Sequence, residues 1–186
     1  MDLRRLPGLC FLILCLGPSF SLGCKWIQDG EYKHKSKFSL TLLKDMGEKD
    51  VSGDVNIIIP EELYKLHSKS EIENKILILH TALGQILKLY KKSEKRTTWD
   101  KDQLNHFLSL IHRQSYELNR CISFLQMTRE GCAGCKELKQ YFKNLKYFLR
   151  SQKYSTLAWE IIRKKVKDNL IRMDLLASHV KNPPAI

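Results

Sequence analysis

The chain has 186 residues, of which 32 are Lys or Arg and 20 are Asp or Glu, so its formal net charge is +12. That length suits one domain with a single hydrophobic core, and the positive surplus favours acidic partners such as glycosaminoglycans, anionic membranes or an acidic protein face. The sequence lacks the motifs of nucleic-acid-binding modules, nucleotide-binding loops, hydrolase nucleophiles and zinc proteases, so we expect no nucleic-acid partner, no catalysis, no metal and no cofactor.

The first 23 residues have the pattern of a secretory signal peptide. Arg4 and Arg5 precede an apolar run at residues 9–16, and Ser21-Leu22-Gly23 matches a small-residue cleavage site. The run is shorter than the roughly 18 apolar residues that span a bilayer, although an uncleaved anchor is the alternative. Removing residues 1–23 leaves a single domain, residues 24–186, with a formal charge of +11. We therefore expect a secreted, extracellular protein.

The domain that follows is predicted to be mainly helical. Proline is absent from residues 61–182, and only three glycines lie in that span, so helix breakers are rare. Apolar residues recur every three or four positions in four stretches, residues 72–90, 104–125, 138–149 and 158–177, which is the period of one helix face. A less regular helix precedes them at residues 25–44. The sequence thus predicts five core helices.

The connection between the first two helices, residues 45–70, is much longer than the later links. Its run Ile57-Ile58-Ile59 is β-prone, but no other run offers a strand partner, so we expect an extended segment packed on the helices. Ser70 with Glu73 is a capping box, and Thr98 precedes an acidic first turn, so these residues are predicted helix starts. One long crossover followed by short links is typical of four-helix-bundle cytokines. We predict an all-α fold of that class with an additional helix.

Four cysteines remain after residue 23: Cys24, Cys121, Cys132 and Cys135. An even number in an exported chain favours disulfides, and three pairings are open. Cys132-Ala133-Gly134-Cys135 is compatible with a redox couple, half of a zinc site, a local disulfide or free thiols. We favour the local disulfide, because a thioredoxin-like context and a second pair of zinc ligands are both missing.

The fourth core helix carries a row of basic residues that is offset from its apolar face. Six of them recur at alternating steps of three and four, which places them on one stripe: Lys136, Lys139, Lys143, Lys146, Arg150 and Lys153. Such a row is either a solvated polar face or a binding strip for heparan sulfate or an anionic membrane, because like charges repel unless a partner offsets them.

The stretch from Tyr154 to Arg163 has the pattern aromatic-Ser-x-x-Ala-Trp-Glu-aliphatic-aliphatic-Arg. This pattern resembles the signature of the last core helix of type I interferons. Residues 59–63 resemble the end of that family's first long loop, and Thr98-Trp99-Asp100 resembles the start of its third helix. Leu157 stands where many mammalian members have a cysteine, so the chain resembles the two-cysteine branch of the fish interferons.

The resemblance carries implications for fold and function. It implies a disulfide between Cys24 and Cys121, since family members tie an N-terminal cysteine to the end of the third helix. It implies a secreted antiviral cytokine that bridges two class II cytokine receptor chains and starts JAK-STAT signalling and interferon-stimulated gene expression. One chain would meet the first loop and the exposed face of the last helix. The other would meet the second, third and fourth helices.

Several residues of the signature have predicted roles. Trp159, with Ala158 and Ile162 beside it, is expected to anchor the core, direct receptor contact being the alternative. Glu160 is expected to pair with a lysine one turn later, at i, i+4. Three basic residues are predicted to project into solvent and to contact the high-affinity receptor chain, the alternative being solvated charges: Arg163, Lys164 and Lys167.

Two other functions compete with this one. A cationic defence protein that disrupts anionic membranes directly would need only Lys- and Leu-rich amphipathic helices. Another four-helix cytokine family would share the fold but not the Ala158-Trp159-Glu160 signature. The signature and the long first loop belong to a fixed bundle, so we favour the receptor-binding cytokine and expect it to be a monomer.

Overall fold

A computed structural model of the chain describes residues 24–47, 53, 55–64, 72–91, 97–128 and 130–181. The predicted signal peptide, residues 1–23, and the predicted capping box at Ser70 lie outside the described residues. In the described part, none of the helices is long and apolar enough to cross a membrane.

The described ranges contain six α-helices and one short 3₁₀ helix, and no strand occurs within them. The α-helices are α1 (Lys25–Gln28), α2 (Glu31–Asp45), α3 (Ile72–Tyr90), α4 (Lys101–Phe124), α5 (Cys135–Ser151) and α6 (Thr156–Lys181), and the 3₁₀ helix is Glu61–Tyr64. The all-α prediction is therefore confirmed. The four apolar stretches of the sequence correspond to α3, α4, α5 and α6.

The beginning of the domain differs from the prediction of one helix over residues 25–44. The chain leaves α1 after Gln28, and Gly30 precedes α2 with a φ of 86°, a left-handed conformation that favours glycine. Trp26 and Tyr32, one on each side of this break, pack edge to face with their ring centroids 5.7 Å apart. The hydrophobic period alone carries no sign of such a short interruption.

The start of α4 also differs from the prediction. Asp100, not Thr98, is the N-cap, and its Oδ1 accepts a hydrogen bond from the backbone N–H of Gln103 at 2.8 Å. Trp99 is thereby left outside the helix, where its side chain is buried. An aspartate at this position satisfies one of the N–H groups that a helix start leaves without an intrahelical partner.

The helices enclose one hydrophobic core. α2 packs on α4 and α6, α3 packs on α4, α5 and α6, and α5 also packs on α6. Burial of each large aliphatic side chain stabilises the folded state by roughly 1.5–3 kcal/mol relative to its exposure to water. The fully buried ones include Leu43, Ile76, Leu83, Leu104, Leu138 and Val166. The segment Ile57-Ile58-Ile59 is neither helix nor strand. Ile59 is buried and Ile57 packs on the core, as the sequence predicts.

Two disulfides fasten the chain. Cys24 is joined to Cys121, 97 residues away, which ties the start of α1 to the last turn of α4. This is the pairing that the resemblance implies. Cys132 is joined to Cys135 and closes the short loop before α5. That loop is held against α3, since Asn74 donates a hydrogen bond from Nδ2 to the Ala133 carbonyl at 3.2 Å.

Candidate functional site

The buried face of α6 carries the aromatic signature. Trp159 is only 1% exposed, and its ring lies against Trp99, Tyr90 and Tyr154, with centroid distances of 5.8, 5.9 and 6.4 Å. Aromatic pairs of this kind contribute about 0.5–1.5 kcal/mol beyond their burial. Ala158 and Ile162 are buried beside it. The cluster joins α6 to the end of α3 and to the segment before α4.

Hydrogen bonds connect this cluster to the end of α2. They involve Trp99, Glu160 and Arg163, which we call the polar clamp. The Trp99 indole N–H donates to Oε1 of Glu160. The Arg163 Nε donates to the other carboxylate oxygen at 2.7 Å, and its Nη1 donates to the backbone carbonyls of Leu43 at 2.8 Å and Lys44 at 3.2 Å. These carbonyls belong to the last turn of α2, where a helix carries unsatisfied acceptors and the negative end of its dipole. The guanidinium therefore caps α2.

The contacts of the polar clamp contradict two predictions. The Arg163 side chain is only 12% exposed and Glu160 is buried, so the prediction that Arg163 projects into solvent is wrong. Glu160 pairs with Arg163 and Trp99 instead of the predicted Lys164. A helical wheel of α6 gives the direction of Arg163 from the helix axis but cannot show that the end of α2 lies there.

Gly47, just after α2, allows this close approach. A Cβ atom at residue 47 would lie 2.3 Å from Nε of Arg163 and 2.8 Å from Oε1 of Glu160. Both distances are far shorter than van der Waals contact, so a side chain at this position would displace the guanidinium or the backbone. The sequence marks Gly47 only as part of a loop, and its packing role is visible only in three dimensions.

The opposite face of α6 is exposed and carries three large aliphatic side chains. Leu157, Ile171 and Leu175 are 52%, 45% and 59% exposed. They follow one another with Lys164 at steps of seven, seven and four residues, which keeps them on one side of the helix. We call Leu157, Lys164, Ile171 and Leu175 the α6 stripe. Grouped exposed apolar side chains of this kind mark interaction surfaces more often than solvated ones.

The predicted receptor-contact residues occupy three different positions relative to this face. Lys164 is exposed within the α6 stripe, Lys167 is half-buried at its edge, and Arg163 is turned toward α2. Leu157, Ile171 and Leu175 are not among the contact residues predicted from the sequence. A signal was present, because these aliphatic residues fall outside the apolar stripe of α6 that the periodicity identifies.

The first connection follows α6 next to this face. Gly53 lies beside the side chains of Leu157 and Ile161. Further along, the connection and α6 border a groove of about 460 Å³, with residues 55–59 and 61 on one wall and Lys165, Asp168 and Arg172 on the other. Arg172 pairs with Glu61 across it at 2.7 Å, and Ile58 is 80% exposed on its rim.

Buried polar groups fix the connection to α6 below the groove. Tyr64, in the 3₁₀ helix, donates a hydrogen bond from its hydroxyl to Oδ1 of Asn169 at 3.0 Å. Burial raises the pKa of the Tyr64 hydroxyl above its ordinary value, so it remains a donor at physiological pH. Burial also raises the pKa of Asp174, further along α6, against the opposing effects of Ser36 and Lys33.

A second polar surface lies on α5. Five of the six predicted strip residues are exposed on this helix: Lys136, Lys139, Lys143, Lys146 and Arg150. The sixth, Lys153, is exposed but lies beyond the end of α5, and its φ of 48° turns the chain away from the helix. The prediction that Lys153 continues the stripe is therefore wrong, because helical spacing stops applying after Ser151.

The local cysteine pair forms neither free thiols nor a zinc site. Cys132 and Cys135 are joined to each other, and Sγ of Cys135 lies 3.3 Å from Oγ1 of Thr81 on α3. Among the described residues, no group of three or more His, Cys, Asp or Glu side chains is placed to hold a metal ion. The bridge joins two residues that flank the turn before α5.

Comparisons with known proteins agree with this architecture. The family model described as the interferon alpha/beta domain matches residues 30–180. The chain is 37% identical over 171 residues to interferon a3 of Oncorhynchus mykiss, covering 91% of this chain and 94% of that protein. It is 29% identical over 181 residues to human interferon omega-1, covering 88% of this chain and 87% of that protein.

Solved structures show the same fold. Zebrafish interferon 1 superimposes with a TM-score of 0.72 at 32% identity, covering 84% of this chain and 99% of that chain. Zebrafish interferon 2 superimposes with a TM-score of 0.66 at 19% identity, covering 76% of this chain and 96% of that chain. With its family signature fastening α6 to the aromatic cluster and to the end of α2, this helical cytokine belongs to the type I interferon family.

Proposed function

We propose that the protein is a secreted antiviral cytokine, released after cleavage of residues 1–23, that bridges two class II cytokine receptor chains and triggers JAK-STAT signalling. Membership of the interferon family supports the cytokine role. The observation that carries the receptor surface is the α6 stripe, where three large aliphatic side chains are exposed beside the first connection. The second receptor chain would bind the face of α3, α4 and α5.

The chemistry of the α6 stripe suits a protein interface. Binding energy at such interfaces is concentrated in a few apolar or aromatic anchors that become desolvated, and charged groups at the rim steer the partners together. Leu157, Ile171 and Leu175 are the proposed anchors, with Ile58 of the connection as a fourth. Lys164 and Lys167 are the proposed basic contacts to an acidic receptor face. Arg163 supports this surface by holding the end of α2.

The test is a signalling assay with the refolded chain of residues 24–186. Cells that carry both receptor chains would be treated with the protein, and STAT phosphorylation and interferon-stimulated transcripts would be measured. Ile171→Ala and Leu175→Ala should each raise the half-maximal concentration, by roughly 30-fold for a hot spot of about 2 kcal/mol. Lys164→Glu should act in the same direction.

Phe38→Ala provides a matched control, since Phe38 on α2 is 44% exposed and Ile171 is 45% exposed. The control should signal as the wild type does. The α6 stripe variants should keep the wild-type melting temperature, whereas Phe38→Ala should lower it slightly because it removes the ring contact with His106. Unchanged signalling by Ile171→Ala, Leu175→Ala and Lys164→Glu would exclude the α6 stripe as the receptor surface. Absence of STAT phosphorylation with the wild-type protein would exclude the proposed function itself.

The membrane-disrupting alternative is not favoured. It needs amphipathic helices whose apolar faces enter the lipid. In this fold the apolar faces of α3, α4, α5 and α6 are buried against each other. The folded domain therefore keeps these apolar helix faces away from a membrane.

A further inference from the structure

The basic row on α5 has no partner of opposite charge within the described part of the chain. We call Lys136, Lys139, Lys143, Lys146 and Arg150 the α5 basic strip. All five are exposed, and the ion pairs found among the described residues include none of them. The strip spans 15 residues, so its ends lie about 21 Å apart along the helix at 1.5 Å per residue. Neighbouring members are one turn apart, so their like charges repel each other.

The strip is part of a wider basic surface between two helices. α3 and α5 border a groove of about 200 Å³, lined by Gln85 and Lys88 from α3 and by Lys143 and Lys146 from α5. Leu89 and Phe142 also line it. Two helices therefore contribute cations to the same channel, together with an amide that can both donate and accept hydrogen bonds.

We propose that the α5 basic strip and the adjoining α3–α5 groove bind a linear sulfated polysaccharide of the heparan sulfate type. The strip and such a polysaccharide are complementary in charge, because a row of cations at intervals of one helix turn faces a chain whose sulfates recur along its length. The strip lies on a different helix from the α6 stripe. A polysaccharide bound to α5 therefore leaves the α6 stripe accessible, but it covers part of the α3, α4 and α5 face proposed for the second receptor chain, so the two ligands should compete there.

The surroundings of the strip argue against the two other polyanions. Attachment to a membrane surface requires apolar side chains that enter the headgroup region, and Tyr147 is the one large exposed apolar side chain of α5. Binding of single-stranded nucleic acid relies on several aromatic rings on which bases stack. The strip is instead uniformly basic.

The experiment measures binding of the folded chain of residues 24–186 to immobilised heparin as a function of NaCl concentration. The variant Lys139→Glu/Lys143→Glu/Lys146→Glu should bind on the order of a hundredfold more weakly at physiological salt, because each basic residue near an anionic surface contributes roughly a fivefold factor. Its binding should also depend less on salt, because the variant makes fewer ionic contacts and its binding therefore releases fewer counterions.

A matched control reverses three exposed lysines elsewhere, with the same change in net charge: Lys25→Glu/Lys37→Glu/Lys101→Glu. This control should keep most of the heparin affinity, and circular dichroism should show that both variants are folded. Equal weakening by both variants would mean that net charge alone attracts heparin, and the proposal would be rejected.

The choice of ligand is tested with three further probes. Chemically desulfated heparin should bind much more weakly than heparin. Phosphatidylserine vesicles and single-stranded DNA should compete poorly with heparin for the protein. If desulfated heparin binds equally well, or if either of the other polyanions binds more tightly through the same lysines, the assignment to a sulfated polysaccharide is wrong.

Discussion

Replacing Arg163 by Ala tests whether this residue holds the fold together. The substitution removes the ion pair with the buried Glu160 and the two hydrogen bonds to the last turn of α2. Removing one partner of a buried ion pair costs about 3–5 kcal/mol. The Arg163 side chain keeps 12% exposure, so we take the lower end, about 3 kcal/mol. For a domain of this size that corresponds to a fall in melting temperature of roughly 6–12 °C.

The assay is urea or thermal unfolding followed by circular dichroism, with both disulfides intact. Lys164→Ala is the control, because the neighbouring lysine is exposed and surface substitutions usually stay within about 0.5 kcal/mol. Arg163→Lys should give an intermediate loss, since an ammonium keeps the charge but not the planar fork that reaches the carboxylate and the carbonyls together. An Arg163→Ala protein as stable as Lys164→Ala would refute the reasoning.

Gly47 supplies a second test of the same contact. Gly47→Ala should destabilise the wild type, because the added Cβ would lie 2.3 Å from Nε of Arg163. In an Arg163→Ala background the guanidinium is gone and only the approach to Oε1 of Glu160 at 2.8 Å remains, so Gly47→Ala should cost less. The two losses should therefore be less than additive, as expected for residues in contact. Strict additivity would mean that Gly47 and Arg163 act independently.

Three further predictions concern stability. Replacing Cys24 and Cys121 by Ser should lower the free energy of unfolding by about 4–5 kcal/mol, since their bridge closes a loop of 97 residues. Removing the local bridge should lower it much less, and equal losses of melting temperature would contradict this. Trp159→Ala should cost about 3–5 kcal/mol, and an unchanged melting temperature together with lost signalling would place the ring on the receptor surface instead. Asp174 has a raised pKa in the fold, so its ionisation disfavours folding; Asp174→Asn should be more stable than the wild type at pH 7, and the difference should shrink as the pH falls toward the ordinary pKa of about 3.9.

The helices were predicted well from the sequence because a helix with one buried face needs apolar residues at every third or fourth position. The apolar spacing that buries residues such as Ile76, Leu138 and Val166 is the spacing that identified α3, α5 and α6. It failed at element ends, where one residue decides the outcome. The left-handed Gly30 divides the first helix, and Lys153 lies past the end of α5.

The candidate site was predicted less completely because contacts between distant segments produce no periodic pattern in the sequence. Arg163 and Leu43 are 120 residues apart, and nothing in either segment shows that they meet. The opposite holds for Leu175, whose position outside the apolar stripe of α6 was readable from the sequence. An aliphatic side chain on the polar side of an amphipathic helix is a usable signal for an interface.

One face of α6 carries the family signature, and the opposite face carries the proposed receptor surface. The signature residues Trp159, Glu160 and Arg163 all face inward, to the aromatic cluster or to the end of α2. They make the chain recognisable as an interferon because they fasten the last helix to the rest of the bundle. Lys164 and Ile171 are exposed and do not contribute to this packing. Substitutions there can therefore change the partner without destabilising the fold. Receptor specificity in this chain should therefore be sought on the α6 stripe and not in the signature.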